Sequence, residues 1–278
     1  MNTYVLLIAC PDQKGLIHNV TGILYDHNLN IISNGEFVEK ETDRFFMRTE
    51  FAGDISVNGL TSTLREVLPA TAFVSLIEQK KKDVIVMATR ESHCLGDLLI
   101  RHYSQSLPVV IRAVVSNYDH LRELTEKFHI DYHHVSHENC SREEHEARIG
   151  AIIDQYSPDY LVLAKYMRIL SPSLIRKFEN RIVNIHHSFL PAFVGARPYE
   201  KAYARGVKII GATAHFVNED LDEGPIIAQN VIPVSHSHSA RDMAQAGKDV
   251  EKIVLAKALK LVAEDRVFVS GNKTIIFD

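Results

Sequence analysis

Arg181-Ile182-Val183-Asn184-Ile185-His186-His187-Ser188-Phe189-Leu190-Pro191 is a short apolar run that ends on an asparagine and a histidine two positions apart, with a proline soon after. Side chains of an extended segment alternate between faces, so Asn184 and His186 share one. In an open parallel sheet, chemistry gathers beyond the carboxyl ends of the strands, where an amide donor and an imidazole can grip one carbonyl oxygen. The missing part is a carboxylate. Further along, Gly211-Ala212-Thr213-Ala214-His215-Phe216-Val217-Asn218-Glu219-Asp220-Leu221-Asp222-Glu223-Gly224-Pro225 reads as a second strand running through His215 into an acidic loop closed by Gly-Pro. Asn184, His186, His215 and Asp222 therefore form one candidate site.

Working outward, strands predicted at Val84–Ala88, Val109–Val115, Asp131–His133, Tyr160–Ala164 and Arg181–Ile185 alternate with helices near Leu95–Tyr103, Tyr118–Phe128, Arg142–Tyr156 and Pro172–Phe178. Such alternation predicts an α/β fold with a doubly wound, mostly parallel sheet. A helix at Pro198–Arg205, strands at Ile209–Phe216 and Ile226–Pro233, a long helix Ala240–Ala263 and a final hairpin complete residues 84–278. Ahead of them, the mixed-charge run Glu78-Gln79-Lys80-Lys81-Lys82-Asp83 reads as a solvated connector, with 80–83 as the linker. Residues 1–79 read as a separate domain in the order βαββαβ, the ferredoxin-like arrangement. Leu16, Val20, Ile23, Leu24 and His27 fall at helical spacing, whereas Phe45, Met47, Thr49 and Phe51 alternate with period two.

Asn-Ile-His-x-Ser-x-Leu-Pro at 184–191 followed by His215-Phe216-Val217 and Asp222-x-Gly224-Pro225 resembles the signature of the folate-dependent formyltransferase family. Leu163-Ala164-Lys165-Tyr166-Met167-Arg168-Ile169-Leu170 resembles that family's pterin-binding strand and loop. Three ordered motifs over roughly Asp83 to Val234 are far more specific than one. The resemblance implies a formyltransferase-like catalytic domain, a folate substrate, catalytic roles for Asn184, His186 and Asp222, and folate contacts from Arg168, Ile169 and Leu170. Similarly, Pro11-Asp12-Gln13-Lys14-Gly15-Leu16 and Asn28-Leu29-Asn30-Ile31 resemble the amino-acid-binding ACT domain. That likeness implies a regulatory ligand near Asp12, Gly15 and Asn30 at a domain–domain interface, and assembly as a homo-oligomer.

The required chemistry is attack on a formyl carbon, with an oxyanion to stabilise and protons to move. Asn184 and His186 would donate to the oxyanion, Asp222 would orient or deprotonate a water, and His215 would hold Asp222 or that water. His187 alternates to the opposite face and is left between a structural and a supporting part. A transferase acting on a phosphorylated amine should carry a glycine-rich loop after the first strand of the catalytic domain, where backbone amides and a helix N-terminus hold phosphate. Here that loop reads Thr89-Arg90-Glu91-Ser92-His93-Cys94-Leu95-Gly96, with an acid and no glycine before the helix. An ACT-like module joined to a formyltransferase-like domain implies instead hydrolysis of 10-formyltetrahydrofolate to tetrahydrofolate and formate, which supplies formate for purine synthesis and balances one-carbon pools. The alternatives are transfer to an unidentified amine and non-catalytic, amino-acid-responsive folate binding.

Composition sets the remaining expectations. With 278 residues, 46% of them hydrophobic, the chain can bury more than one core. A net charge of −4 and scattered Lys and Arg argue against a nucleic-acid partner. The opening apolar run meets Pro11-Asp12 too early for a signal core or a membrane span, so a cytoplasmic protein without a membrane partner is expected. Cys10, Cys94 and Cys140 lack metal-ligand spacing and fit a reducing compartment. His133, His134, His137, His236 and His238 lack carboxylate or thiolate partners at ligand spacing, so no metal is expected. No cofactor is expected either, the folate being substrate.

Overall fold

In the computed structural model, which describes residues 2–192 and 198–278, contacts divide the chain after Lys80 into two units. The first contains β1 (Thr3–Pro11), α1 (Leu16–Asp26), β2 (Asn30–Glu39), β3 (Arg44–Ala52), α2 (Val57–Val67) and β4 (Phe73–Glu78), with sheet order β2-β3-β1-β4. All neighbouring strands in it are antiparallel. One face of the sheet carries Leu6, Ile8, Met47 and Phe51, which pack on Leu16, Val20, Leu24, Leu60 and Leu64 of the two helices. That burial is the main favourable term holding so small a unit together.

The second unit contains β5 (Lys82–Ala88), α3 (His93–Tyr103), β6 (Val109–Ser116), α4 (Arg122–Glu126), β7 (Asp131–His134), α5 (Arg142–Tyr156), β8 (Tyr160–Ala164), α6 (Pro172–Lys177), β9 (Ile182–His186), α7 (Pro198–Arg205), β10 (Ile209–Phe216), β11 (Ile226–Pro233), α8 (Ala240–Ala263), β12 (Val267–Ser270) and β13 (Lys273–Ile276). Its main sheet runs β11-β10-β9-β8-β5-β6-β7. Pairings from β9 to β7 are parallel, and β10 and β11 are antiparallel additions. The chain steps outward from β5 to β6 and β7, then returns to lay β8 on the other side of β5. The topological switch point therefore lies between β5 and β8.

Strand β5 shows why this sheet sits in the middle of the unit. Val84, Val86 and Ala88 face one hydrophobic cluster with α3 and α8 residues, and Ile85 and Met87 face another with Ile149, Ile153, Leu174 and Ile175. A strand buried on both faces reads as a continuous apolar run, as here. Helix starts follow local chemistry: Ser141 with Glu144 and Ser239 with Asp242 form reciprocal capping pairs, and Ser171 caps α6 ahead of Pro172. Among the described residues, no helix is long and apolar enough to cross a membrane.

Two details differ from the sequence expectation. Lys82 and Asp83, placed in the linker above, belong to β5. The Lys82 ammonium lies 2.9 Å from the Asp265 carboxylate with both side chains 9% exposed, and the Asp83 amide donates to Asp159 at 2.7 Å. A lysine can thus bury its stem in a strand when its head is paired. The helix expected near Tyr118–Phe128 shrinks to Arg122–Glu126, because the Tyr118 amide is taken by the Ser116 hydroxyl and the chain turns first.

Candidate active site

Register across β9 and β10 assembles the site. Antiparallel pairing sets Asn184 opposite His215 and His186 opposite Thr213, and facing residues of one strand pair present their side chains on the same face. The Asn184 amide nitrogen is 3.1 Å from His215 Nε2, while His215 Nδ1 is 2.8 Å from the Phe216 carbonyl. These contacts define one tautomer, with Nδ1–H donating to Phe216 and Nε2 accepting from Asn184. Burial lowers the His215 pKa, with the Phe216 carbonyl acting against it, so the ring is neutral and serves as an acceptor. One amide hydrogen of Asn184 is held this way and the other remains for the site.

Asp222 comes from the acidic loop and meets the other nitrogen-bearing group. Its Oδ2 lies 3.2 Å from His186 Nδ1, and its Oδ1 lies 3.8 Å from His215 Nε2, too far for a hydrogen bond. The sequence reading gave His215 to Asp222 or a water; the structure joins it more closely to Asn184. The hydrogen bond from His186 holds the Asp222 carboxyl below the usual range, against partial burial, so it is a carboxylate. His186 is 4% exposed, and its Nε2 is buried without a hydrogen-bond partner.

The loop is built to deliver Asp222. Its backbone sits in the left-handed region, at φ 60°. The Phe216 amide donates to the Pro225 carbonyl at 2.9 Å, pulling the loop ends together. At Gly224 a Cβ would collide with the Phe216 carbonyl, so only glycine allows this approach. On the other side, the Thr213 hydroxyl donates to the Ser188 carbonyl and accepts from the Leu190 amide and Gln229, which fixes the chain just beyond β9.

Asn184, His186, His215 and Asp222 line a cleft of about 400 Å³ that also includes Lys165, Tyr166, Met167, Arg168, Ile169 and Leu170. Arg168, Ile169 and Leu170 thus stand beside Asn184, His186, His215 and Asp222. Sequence reasoning missed Met167 and Leu221, which are 62% and 61% exposed on the cleft wall. Large apolar side chains left in solvent at a cleft are suited to cover a flat heterocycle. Their signal in the sequence was only their place beside Arg168 and Asp222.

His187 is settled by the end of β9 at His186, where strict alternation stops. Its ring stacks on that of His186, with centroids 5.0 Å apart and planes 25° from parallel. Burial, then the nearby Lys165 and His186 charges, push its pKa down to about 4. It stands as a neutral wall of the cleft.

With this geometry in view, comparison with known proteins is direct. A formyl transferase family model matches residues 82–259, and an ACT domain model matches residues 4–69. A formyltetrahydrofolate deformylase from Haemophilus influenzae is 54% identical over 272 residues, covering 98% of either chain. The chain belongs to the formyltetrahydrofolate deformylase family. A Bacillus subtilis member is 41% identical and covers 98% of this chain and 93% of its own. The crystal structure of a deformylase from Pseudomonas syringae pv. tomato superposes with a TM-score of 0.96 at 42% identity, over 100% of this chain and 95% of that one. A glycinamide ribonucleotide transformylase from Symbiobacterium toebii superposes over 71% of this chain and 94% of its own, with a TM-score of 0.68 at 30% identity. Over most of its length the chain thus shares its fold with an enzyme named for glycinamide ribonucleotide.

In the first unit, Asp12 and Gly15 line one concavity with Gln13, Glu36 and Phe37, whereas Asn30 lines another with Tyr25, Asp26 and Asn28. One chain does not bring these three residues together. Gly15 precedes α1 at φ 93° with nothing close to its absent side chain, so conformation rather than space demands glycine there. Among the described residues, one set of metal-ligand types converges, His93, Cys94 and Glu251, with candidate atoms within 4.8 Å of one another. Lys165 already supplies a positive charge there, 3.3 Å from Glu251, and burial holds the Cys94 thiol protonated.

Two outcomes follow from this geometry. Gly224→Ala should leave the fold intact yet displace Asp222, lowering kcat by roughly a hundredfold with folate affinity less affected; steady-state kinetics alongside a thermal melt checks it. Acid should act in two stages. Burial alone would raise Glu251, but His93, Lys165 and Tyr199 outweigh it and hold its pKa at about 2 against the usual 4.5. The unfolded chain therefore takes up protons first, and stability falls from about pH 6.5 to 4 through His187 and from about 4.5 to 2 through Glu251. Glu251→Gln, less stable at neutral pH, should remove on the order of 3 kcal/mol of the lower stage in denaturant titrations.

Proposed function

We propose that this chain hydrolyses 10-formyltetrahydrofolate to tetrahydrofolate and formate, with Asn184, His186 and Asp222 as the acting groups and His215 as the residue that aims Asn184. The observation that carries the site assignment is the His186 ring: one nitrogen is held by a carboxylate, and the other is buried and unpaired in a ring lining the cleft. A buried polar atom without a partner is costly unless a ligand satisfies it.

The folate's heterocycle lies along Met167, Arg168, Ile169 and Leu170, whose loop offers apolar cover and backbone groups. Water held by Asp222 attacks the formyl carbon. As the tetrahedral oxyanion forms, it accepts from the free amide hydrogen of Asn184 and from Nε2–H of His186, with Asp222 facing Nδ1 of the same ring. Donors preset for a charge that develops only in the transition state lower the barrier without tightening substrate binding equally. The proton leaving the water reaches the departing N10, and the C–N bond breaks to give N–H and formate. Water is the nucleophile and these side chains carry the protons, so the scheme calls for no resident cofactor or metal.

The ACT unit is proposed to hold a small amino-acid effector. Asp12 and Gly15 of one chain would meet Asn30 of a second copy, which makes the active form a homo-oligomer and the effector site incomplete in one chain. Glycine and methionine are the first candidates on metabolic grounds. A cytoplasmic location completes the reading.

Incubating the pure protein with 10-formyltetrahydrofolate alone should release stoichiometric formate, and Asp222→Asn, which keeps shape but not the base, should lower kcat by roughly two or more orders of magnitude. Binding without turnover, or a variant retaining more than about a tenth of kcat, would count against the reading. Removal of residues 1–79 should abolish any response to glycine or methionine, with couplings of about 1–3 kcal/mol in the full-length protein. A monomer in sedimentation, or a truncated protein that still responds, would show the effector assignment to be wrong.

A further inference from the structure

The crevice at the topological switch point between β5 and β8 is where an open α/β sheet ordinarily admits a ligand. In this chain it holds a knot of buried polar side chains. Glu251, 1% exposed in the middle of α8, accepts from His93 Nε2 at 2.8 Å and from the Tyr199 hydroxyl at 2.8 Å, and its Oε2 lies 3.3 Å from Lys165 Nζ. His93 begins α3 just beyond β5, and Lys165 follows β8 directly in a left-handed backbone conformation at φ 62°. Tyr199 comes from α7, and it reaches Glu251 across Gly247, where a Cβ would overlap its phenol. Three donors from separate segments thus converge on one carboxylate of α8, and the neutral His187 ring, stacked on His186 and tilted against Tyr199 at 6.4 Å, joins this knot to the reacting groups. Lys165 and His187 also line the folate cleft, so the knot forms one wall of it.

We propose that Lys165, Glu251, His93 and Tyr199 form a plug that closes the acceptor side of the formyl group and leaves water as the only acceptor small enough to reach it. The inference rests on the hydrolase reading and assigns the residues responsible for it. The folate and its formyl group lie on the cleft side of Asn184 and His186, between β8, β9 and the 217–222 loop. The crevice between β5 and β8 offers a second organic substrate an approach to the formyl carbon that the folate does not occupy. There a primary amine would add to the carbonyl carbon, lose a proton and expel N10, which leaves as N–H, giving a formamide in place of formate. The paired charges of the plug gain nothing from an incoming amine: the carboxylate that could hold an ammonium is already satisfied by three donors. The loop Thr89–Ser92 is likewise engaged, since Thr89 accepts from the Met167 amide, Arg90 stacks on Tyr118 at 3.9 Å and Glu91 pairs with Lys248 at 3.0 Å. Water needs neither the crevice nor a binding group.

The test is a partition ratio, formylglycinamide against formate, read by mass spectrometry when the full-length protein turns over 10-formyltetrahydrofolate in the presence of glycinamide. The unmodified protein should release formate alone. Lys165→Ala combined with Glu251→Ala removes both charges together, which avoids stranding one buried ion, and opens the crevice; the ratio should rise from undetectable to at least about ten times the detection limit. Lys165→Met combined with Glu251→Gln keeps the volume and should remain water-only. His93→Ala, at a side chain only 12% exposed, and Tyr199→Ala open the same wall singly and decide the matter if the double variant does not fold. A ratio unchanged in every soluble opened variant, or raised equally in the volume-filling one, overturns the plug. Absence of formate from the unmodified protein would sink the hydrolase reading instead, while amine transfer confined to the opened variants would still support the plug.

Discussion

The antiparallel register of β9 against β10 is the constraint from which the site follows. It places His215 opposite Asn184 and Thr213 opposite His186, so a single strand pairing orients the amide donor and anchors the chain leaving the imidazole. A slip of one residue would turn every one of these side chains to the other face. The pairing is pinned at both ends. Gly224 against the Phe216 carbonyl brings the acidic loop back to the strand, and Thr213 with Gln229 holds the turn at Ser188 and Leu190. Backbone geometry is thus committed before any charge is placed, and the charges then need little reorganisation during reaction.

The electrostatics divide by depth. Asp222 is 15% exposed in its side chain and meets both solvent and His186, whereas Glu251 is buried with three donors. A partly exposed carboxylate with one oxygen beyond hydrogen-bond reach of His215 can meet a water. A sealed and fully paired one is structural, and breaking it strands a charge. His187 stands between the two and stays neutral at neutral pH, so it transmits packing rather than charge from one to the other.

Much of this was legible in the sequence because it is local. Asn184 and His186 advertise themselves by alternation at the end of a short apolar strand, and Asp222 by an acidic loop closed with Gly-Pro. The βαββαβ order of residues 1–79 follows from periodicity. Register is a property of two strands, so the Asn184–His215 bond had to wait for the structure, and the same holds for the stacking of His187. Burial of Lys82 depends on Asp265, nearly two hundred positions away, and composition reads such a lysine as linker. Lys165, His93, Tyr199 and Glu251 come from separate segments, and although Lys165 lies in the motif read as pterin-binding, nothing in the sequence joins the four. The grouping of Asp12 with Asn30 comes from a resemblance that places the ligand at an interface, and one folded chain sets them in separate concavities.

A shared catalytic core raises the question of how water displaces a tethered amine as acceptor. Discriminating for the smaller substrate by affinity is difficult, since a site that admits an amine also admits water. Exclusion by volume has no such limit: a filled crevice rejects any nucleophile larger than the remaining gap, whatever its chemistry. Filling the crevice with apolar side chains would have closed it equally well against size. A paired Lys165 and Glu251 add a constraint of direction, because His93 and Tyr199 fix the carboxylate that the ammonium meets at 3.3 Å. The pair thereby holds four side chains in one arrangement, which gives a reason for a buried charge where a hydrophobic plug would have been more stable.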